Sequence, residues 1–150
     1  MKVIIFPAST QTVFGEKIYF VFSVRQVEDI IREIPVSPVP FSPRYLKGIV
    51  RWRDCIIPVI SMEECLGFDM LNVENANRLL TVRGGDGKKE RAMIKTGSGL
   101  RMLSLPIPCT PAASSEWIPE KHLVSGVYEW EEGFLICVRI DDILSGTYSQ

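Results

Sequence analysis

Short apolar runs rich in β-branched and aromatic residues recur along this chain, and turn-forming residues interrupt them. Clear examples are KIYFVFSV (17–24), RLLTVR (78–83) and KERAMIKT (89–96). Such runs, spaced roughly 8–15 residues apart, are typical of short β-strands. Strands this short bury an apolar face only by closing into barrels or by stacking. The sequence therefore predicts an all-β, barrel-forming fold with about nine strands and three short helices. It shows no internal repeat.

Local signals refine this pattern. The first strand is expected to end at Pro7, and segment 24–34 is expected to be a short helical turn that leads into a strand. Segment 35–43 contains four prolines and predicts an extended connector. Ser42 and Pro43 resemble the start of a brief helix that Gly48 would end.

Segments 48–53 and 55–60 predict two strands with Asp54 near their turn, because Asp tolerates a left-handed backbone. Ser61 and Glu64 form a capping-box pattern, which predicts a short helix over 62–66 with Gly67 after it. Further on, GGDGK (84–88) and residues 131–133 are expected to be hairpin turns. Residues 119–123 predict a helical turn and 141–146 a closing helix.

Length and charge narrow the class of protein. The 150 residues correspond to one domain, expected to span 1–150. The formal net charge is −1, which does not favour nucleic acid or an anionic membrane as a partner. The N-terminus lacks the apolar core of a signal peptide, and no run approaches the about 18 apolar residues of a membrane helix. We expect a cytoplasmic protein without direct membrane insertion.

The four cysteines do not form a metal-binding pattern. They lie at positions 55, 65, 109 and 137, without a C-x-x-C pair and with a single histidine in the chain. Zinc sites need ligands at short spacings, so no metal or other cofactor is expected. Cys55, Cys65 and Cys137 have apolar neighbours and are expected to be small core residues.

No recognisable catalytic set is present. GGDGKK (84–89) lacks the spacing of a phosphate-binding loop, and a hairpin tip is the better interpretation. His122 has no positioned partner in the sequence, and Asp141 with Asp142 fits helix capping better than cation binding. We therefore predict no catalytic residues. A small β-barrel enzyme or ligand-binding domain that uses these residues stays open as an alternative.

One stretch carries a family resemblance. Residues 40–60 read PFSPRYLKGIVRWRDCIIPVI, with a proline-rich connector, a glycine, an apolar pair, an arginine turn and an apolar strand ending in Pro-Val. This stretch resembles the CheW family, the coupling proteins of bacterial chemotaxis arrays. VRQVEDI (24–30) and residues 124–144 resemble its other segments. Asp54 stands where the family has glycine, and Asp29 where it usually has glutamate.

The resemblance implies two small five-stranded β-barrels packed together, with a groove between them and a few short helices. It also implies a non-catalytic adaptor. Its partners would be the cytoplasmic tip of a chemoreceptor and the regulatory domain of a CheA-type histidine kinase. The protein would then associate with the membrane through receptor arrays. A scaffold of another receptor–kinase pathway, for pilus motility or development, is the alternative.

The resemblance also places a site in the hairpin predicted over residues 48–60. Arg53 is expected to pair with Asp29, because a guanidinium can hold a carboxylate through two parallel hydrogen bonds. Strand alternation puts Ile49, Arg51 and Arg53 on one face and Val50 with Trp52 on the other. The residues expected to contact a receptor or kinase are Val27, Ile30, Arg51, Trp52 and Asp54.

Overall fold

The apolar runs form strands in the computed structural model, which describes residues 1–32, 34–70, 78–85, 89–97 and 99–148. In these ranges the strands are β1 (Lys2–Gln11), β2 (Lys17–Ser23), β3 (Val27–Arg32), β4 (Leu46–Trp52), β5 (Cys55–Ile60), β6 (Arg78–Arg83), β7 (Arg91–Thr96), β8 (Arg101–Ser104), β9 (Thr110–Pro111), β10 (Val124–Trp130) and β11 (Gly133–Val138). The helices are α1 (Met62–Cys65) and α2 (Ile140–Tyr148), and the 3₁₀ turns are Val24–Gln26 and Lys121–Leu123.

The all-β prediction is confirmed, but the closed barrels are wrong. In the described part of the chain the strands form two sheets, in the orders β8-β1-β2-β11-β10-β9 and β3-β6-β7-β5-β4. Among the described strands, the two edge strands of each sheet do not pair with one another, so each sheet is an open layer rather than a closed ring. The six-stranded sheet gains β9, a strand of only two residues that the sequence does not indicate.

Two local expectations are also corrected. β1 continues past Pro7, which pairs with Tyr19 of β2 after the pairing with β8 has ended at Ile5. The missing N–H of proline therefore faces an unpaired side of the strand. The helix expected after Pro43 is absent, because Leu46 already begins β4.

Gly48 lies inside β4 instead of ending a helix. A Cβ atom there would lie only 2.4 Å from the carbonyl oxygen of Ser37, and φ is +149°. Glycine lets the connector cross closely enough for the Ser37–Ile49 bridge to form.

The two sheets are built on the same plan. Each contains a central parallel pair, β2 with β11 and β5 with β7, flanked on both sides by antiparallel strands. β10, β11 and α2 follow one another as β4, β5 and α1 do. The Ser37 bridge lies beside β4 where β9 lies beside β10. The structure is therefore duplicated although the sequence shows no repeat.

The buried side chains form one cluster that both sheets share and two clusters, here called private cores, that each belong to a single sheet. The largest cluster of buried side chains draws residues from both sheets and both helices, and includes Phe6 stacked at 5.9 Å on Phe22. A second cluster belongs to the six-stranded sheet and is centred on Ile5, Tyr19 and Trp130. The third belongs to the five-stranded sheet, with Val59 and Met93 among its members.

Each helix also reaches the opposite sheet through a carboxylate. Glu63 of α1 accepts a hydrogen bond of 2.9 Å from the backbone N–H of Ser9 in β1. Asp141 of α2 accepts one of 2.8 Å from the N–H of Gly85, just after β6. These two contacts occupy equivalent places in the duplicated plan, and they join the sheets in addition to the shared core.

Candidate functional site

The hairpin of β4 and β5 presents the predicted site. Its two turn residues, Arg53 and Asp54, have φ values of 46° and 62°. Positive φ at both central residues is the pattern of a type I′ hairpin turn, whose twist matches that of the strands. The turn therefore follows directly on Trp52 and holds both charged side chains at the end of the sheet.

Arg53 lies over the tryptophan and near the expected carboxylate. Its guanidinium carbon is 4.4 Å from the centre of the Trp52 ring, and its Nη2 is 3.9 Å from Oδ2 of Asp29. The Arg53 side chain is 65% exposed and that of Asp29 is 37% exposed. At this distance and exposure the contact is an ion pair rather than a bidentate hydrogen bond. It stabilises the fold by about 0–1 kcal/mol.

The register explains why Asp29 faces the turn. Asp29 of β3 is paired with Thr81 of β6, on the face that carries the private core of the five-stranded sheet. β3 and β4 are the two edge strands of this sheet. The Arg53–Asp29 contact therefore spans the open gap between the two edges.

Arg51 engages a different carboxylate. Its Nη2 is 3.3 Å from Oδ1 of Asp54, and both side chains are exposed. Alternation holds for Val50 and Arg51, since the first is buried and the second exposed. It does not extend to Arg53, which lies in the turn and over the Trp52 ring.

The apolar candidates are half-buried. Val27 and Ile30 of β3 pack against the shared core, whereas Trp52 packs against the core of the five-stranded sheet. The structure therefore brings Asp29, Trp52 and Arg53 together, and it places Val27 and Ile30 on the same edge strand as Asp29. Their role in partner contact stays a prediction.

A hollow of about 390 Å³, here called the basic hollow, adjoins this site. Arg91 closes one side through a 2.8 Å ion pair with Glu28. Apart from Trp52 and Arg53, the lining residues of the hollow were not predicted from the sequence, although the run CIIPVI (55–60) indicates one of them. Ile56 and Ile57 are adjacent in a strand, so both cannot face inward, and Ile56 is 68% exposed. The described lining residues are Glu28, Trp52, Arg53, Cys55, Ile56, Ile57, Lys89 and Arg91.

One of the three cysteines that were expected in the core is exposed instead. Cys55 is exposed, because it begins β5 directly after the turn, whereas Cys65 is buried and Cys137 half-buried. Burial raises the pKa of Cys65 to about 12. A thiol with such a pKa stays protonated at neutral pH and is a poor nucleophile.

The residues considered for catalysis have ordinary surroundings. His122 is exposed and lies 3.4 Å from Oε2 of Glu120, and Asp141 binds the backbone of Gly85. Neither they nor Asp142 line the basic hollow. In the described ranges no group of three His, Cys, Asp or Glu side chains is arranged to hold a metal ion.

Comparisons with known proteins agree with one another. The family model described as a CheW-like domain matches residues 3–147. A solved structure, the crystal structure of the scaffolding protein TtCheW from Thermoanaerobacter tengcongensis, is similar with a TM-score of 0.66. The two sequences are 18% identical over 91% of this chain and 87% of the other, so this likeness concerns the fold. No curated protein matches the sequence. None of the helices in the described ranges has the length and apolar character needed to span a membrane.

Proposed function

Because the chain belongs to the CheW-like domain family, we propose that it is an adaptor of chemotaxis-type signalling. It would couple a methyl-accepting receptor to a CheA-type histidine kinase in the cytoplasm. The family consists of scaffold and coupling proteins that have no catalytic activity. The proposal accordingly assigns binding roles, and no catalytic role, to the side chains of this chain.

The Trp52–Arg53–Asp29 arrangement is the observation that carries the proposal. The ion pair contributes little to stability at its exposure, so folding alone does not account for it. Tryptophan and arginine are the residue types that most often anchor protein interfaces. Here the two are stacked and held at the end of a sheet.

The β3 edge suits an apolar helical partner. Val27 and Ile30 lie on β3 with Asp29 and pack toward the shared core, whereas the half-buried Trp52 lies on the opposite face of the sheet, across the gap from Asp29. An amphipathic helix, such as one arm of a receptor's cytoplasmic hairpin, needs apolar contacts of this kind. Arg51 and Asp54 would add polar contacts at the rim, which affect association rate and specificity more than affinity.

Coupling requires that the adaptor bind both partners and respond to their state. A scaffold transmits a signal only if its affinity differs between two states of a partner. In this protein the shared core and the Glu63 and Asp141 contacts join the two sheets. A change at one sheet therefore has a packed route to the other.

A scaffold of the same family in a pathway for pilus motility or development is the second candidate. It would use the same site with different partners. An enzyme or ligand-binding function that uses His122 or Asp141 finds no support in the surroundings of these residues.

Charge reversal tests the proposal. Binding of a receptor tip fragment and of a CheA-type regulatory domain is measured by calorimetry for the wild type, Arg53→Asp, Asp29→Arg and the double swap. Each single reversal is expected to weaken binding of one partner at least about tenfold, and the double swap to restore part of it. Arg32→Asp, on the exposed end of β3, is the matched control.

If the wild type binds neither partner, the receptor–kinase assignment is wrong. If it binds both and the single reversals change nothing, the assignment stands and this site is not the contact.

A further inference from the structure

A backbone N–H of β1 finds its acceptor outside its own sheet. The pairing of β1 with β2 is irregular between Pro7 and Gln11, and Ser9 lies in this interval. Such an irregularity takes backbone groups out of the ladder. The N–H of Ser9 donates to Oε2 of Glu63 at 2.9 Å, and this carboxylate belongs to α1, the helix that follows β5. A side chain from the helix of one sheet therefore completes the hydrogen bonding of the other sheet.

The two glutamates of α1 contact opposite sheets. Glu63 reaches Ser9 of β1. Oε2 of Glu64 lies 3.1 Å from Nε of Arg44, which precedes β4, and the same carboxylate pairs with Nζ of Lys47 in β4. Both glutamate side chains are nearly fully buried. Ion pairs thus hold α1 to the five-stranded sheet, and the hydrogen bond of Glu63 holds it to the six-stranded sheet.

The other contacts between the sheets fix their relative position less well. Apolar contacts in the shared cluster have no preferred direction, so packed layers can slide by small amounts. The N–H of Gly85 donates to Asp141 at an exposed position, where water competes for the donor. The N–H of Glu120 donates to the carbonyl of Leu66 after α1, but Glu120 lies in a loop rather than in a strand. The bond of Glu63 is buried, directional and made to a strand.

The apolar part of the proposed partner surface belongs to the same cluster. Val27 and Ile30 of β3 pack against the shared cluster, as does Ala8 in the irregular interval of β1. Met62 and Cys65, which flank the two glutamates, are buried members of this cluster. A shift of α1 against β1 would therefore reach the apolar side chains of β3 through close packing.

We infer that Glu63 is a positioning residue of the partner site: it holds α1 to the irregular interval of β1, fixes the two sheets relative to each other, and so sets the apolar surface that receives a partner helix. The part that concerns the partner rests on the proposed function. The part that concerns the sheets does not, because it follows from the contacts of α1 alone.

The distance between the sheets tests the second part in the free protein. Cys55, at the start of β5, and Cys109, just before β9, are both exposed and lie in opposite sheets. Burial raises the pKa of Cys65 and of Cys137, so a thiol-reactive spin label should attach to the exposed pair, which mass spectrometry verifies. Pulsed electron paramagnetic resonance then gives the distance distribution between the two labels.

Glu63→Ala is expected to shift this distribution by about 2 Å or more, or to add a second population. Glu63→Gln should keep the wild-type distribution, because the amide oxygen can accept the same hydrogen bond. Ile5→Ala, in the private core of the six-stranded sheet, is the control for lost stability. It should lower the thermal midpoint at least as far and leave the distribution unchanged. All variants are compared well below their midpoints.

Calorimetric titration with a receptor tip fragment tests the first part. Glu63→Ala should weaken binding at least about tenfold, whereas Glu63→Gln and Ile5→Ala should bind as the wild type does. A role in stability alone would weaken binding by Ile5→Ala as much as by Glu63→Ala, and that result overturns the inference. So does a distance distribution that Glu63→Ala leaves unchanged.

A shifted distribution with unchanged receptor affinity refutes the role of Glu63 in the partner site. A wild type that binds no receptor tip refutes the proposed function and the partner part of this inference with it. The label distances still decide whether Glu63 fixes the sheets, so the two failures are distinguishable.

Discussion

The two sheets share a plan but differ in what their equivalent positions carry. Both end in a hairpin with a tryptophan before the turn, and both have an arginine within 5 Å of that ring. Yet Arg53 comes from the turn in one sheet and Arg101 from the edge strand in the other. The carboxylate that each faces, Asp29 or Glu131, occupies the other of these two places. The backbone therefore determines where a tryptophan and an ion pair can sit, and it leaves the sign of each charge free. Opposite signs give one molecule two surfaces that suit different partners.

The interiors differ as well. Trp130 is nearly fully buried and meets Tyr19 edge-on at 5.1 Å, whereas Trp52 is half-buried. Ile5 fills the private core of the six-stranded sheet at the position that Thr81 occupies in the other. The six-stranded sheet therefore has the better-packed end, and the five-stranded sheet has the more open one.

Of all the substitutions compared, those of Trp130 and Trp52 should differ most in how far they lower the free energy of unfolding. We expect Trp130→Ala to lower the free energy of unfolding by about 3–5 kcal/mol, because it leaves a cavity under Arg101. Trp52→Ala should cost less than about half of that, since part of its side chain already contacts water. Urea unfolding of both variants measures the two costs. Equal losses would show that the two ends are packed alike.

The next largest difference in stability is expected between the carboxylate contacts that the two helices make, Glu63 with Ser9 and Asp141 with Gly85. Glu63 is 4% exposed, so Glu63→Ala would leave the Ser9 N–H without its acceptor and cost about 1–3 kcal/mol. Asp141→Ala should cost about 1 kcal/mol or less, because water can replace its bond at the more exposed Gly85. A larger loss for the Asp141 variant would reverse the comparison.

The contribution of Glu63 to folding stability should also depend on pH. Burial raises its pKa above the ordinary value of 4.5, and the hydrogen bond from Ser9 opposes this. In the folded state Glu63 therefore keeps its proton at a pH where the unfolded chain has lost it. Its contribution to stability declines as pH rises from the ordinary pKa through the raised one. The difference in unfolding free energy between Glu63→Gln and the wild type should accordingly grow with pH over this window.

Substitution of Thr81 is expected to have a smaller effect on stability, and one of opposite sign. Its hydroxyl is fully buried and has no hydrogen-bond partner among the described residues. Thr81→Val keeps the shape and removes the unpaired hydroxyl, so it should raise the free energy of unfolding by about 1 kcal/mol. Ile5→Val is the matched change in the other sheet, and it should lower stability by about 0.5–1.5 kcal/mol. If Thr81→Val is destabilising, the hydroxyl makes a favourable contact, and the interiors of the two sheets are equally well packed at this position.

The surface ion pairs should matter least for stability. Double-mutant cycles on Arg53 with Asp29 and on Arg101 with Glu131 should each give a coupling of about 0–1 kcal/mol, which falls with salt. Chemical denaturation of the single and double variants measures both couplings. A coupling well above this range at either site would assign that pair a structural role and weaken its interpretation as a recognition element.

Much of this fold was predictable because its signals are local. Apolar runs rich in β-branched and aromatic residues identified β2, β4 and β5, and Ser61 identified α1, where its side chain accepts the N–H of Glu64 as the capping pattern requires. The family resemblance predicted that Arg53 pairs with Asp29, 24 positions away in sequence. In the structure Nη2 of Arg53 lies 3.9 Å from Oδ2 of Asp29. What they bind stays a prediction.

The duplication could not be read from the sequence. Equivalent strands do not follow the same order along the chain, because β1 and β2 open the six-stranded sheet and β8 to β11 complete it. Equivalent residues also differ in kind, as Asp29 and Arg101 do. Apart from the equivalent Trp52 and Trp130, side-chain similarity therefore gives little sign of a relation that hydrogen-bond register makes plain.

By itself the sequence determined that most of the apolar runs form strands, that turns lie near Asp54 and at residues 131–133, and that Val50 and Arg51 point to opposite faces. These properties depend on neighbours within a few residues, through backbone preference and alternation. Only the tertiary structure decided that the sheets stay open and that Glu63 is buried against Ser9. It also decided that two charged hairpins occupy equivalent places with opposite sign. Those features depend on contacts between segments distant in sequence, which form only when the two layers pack on a common core.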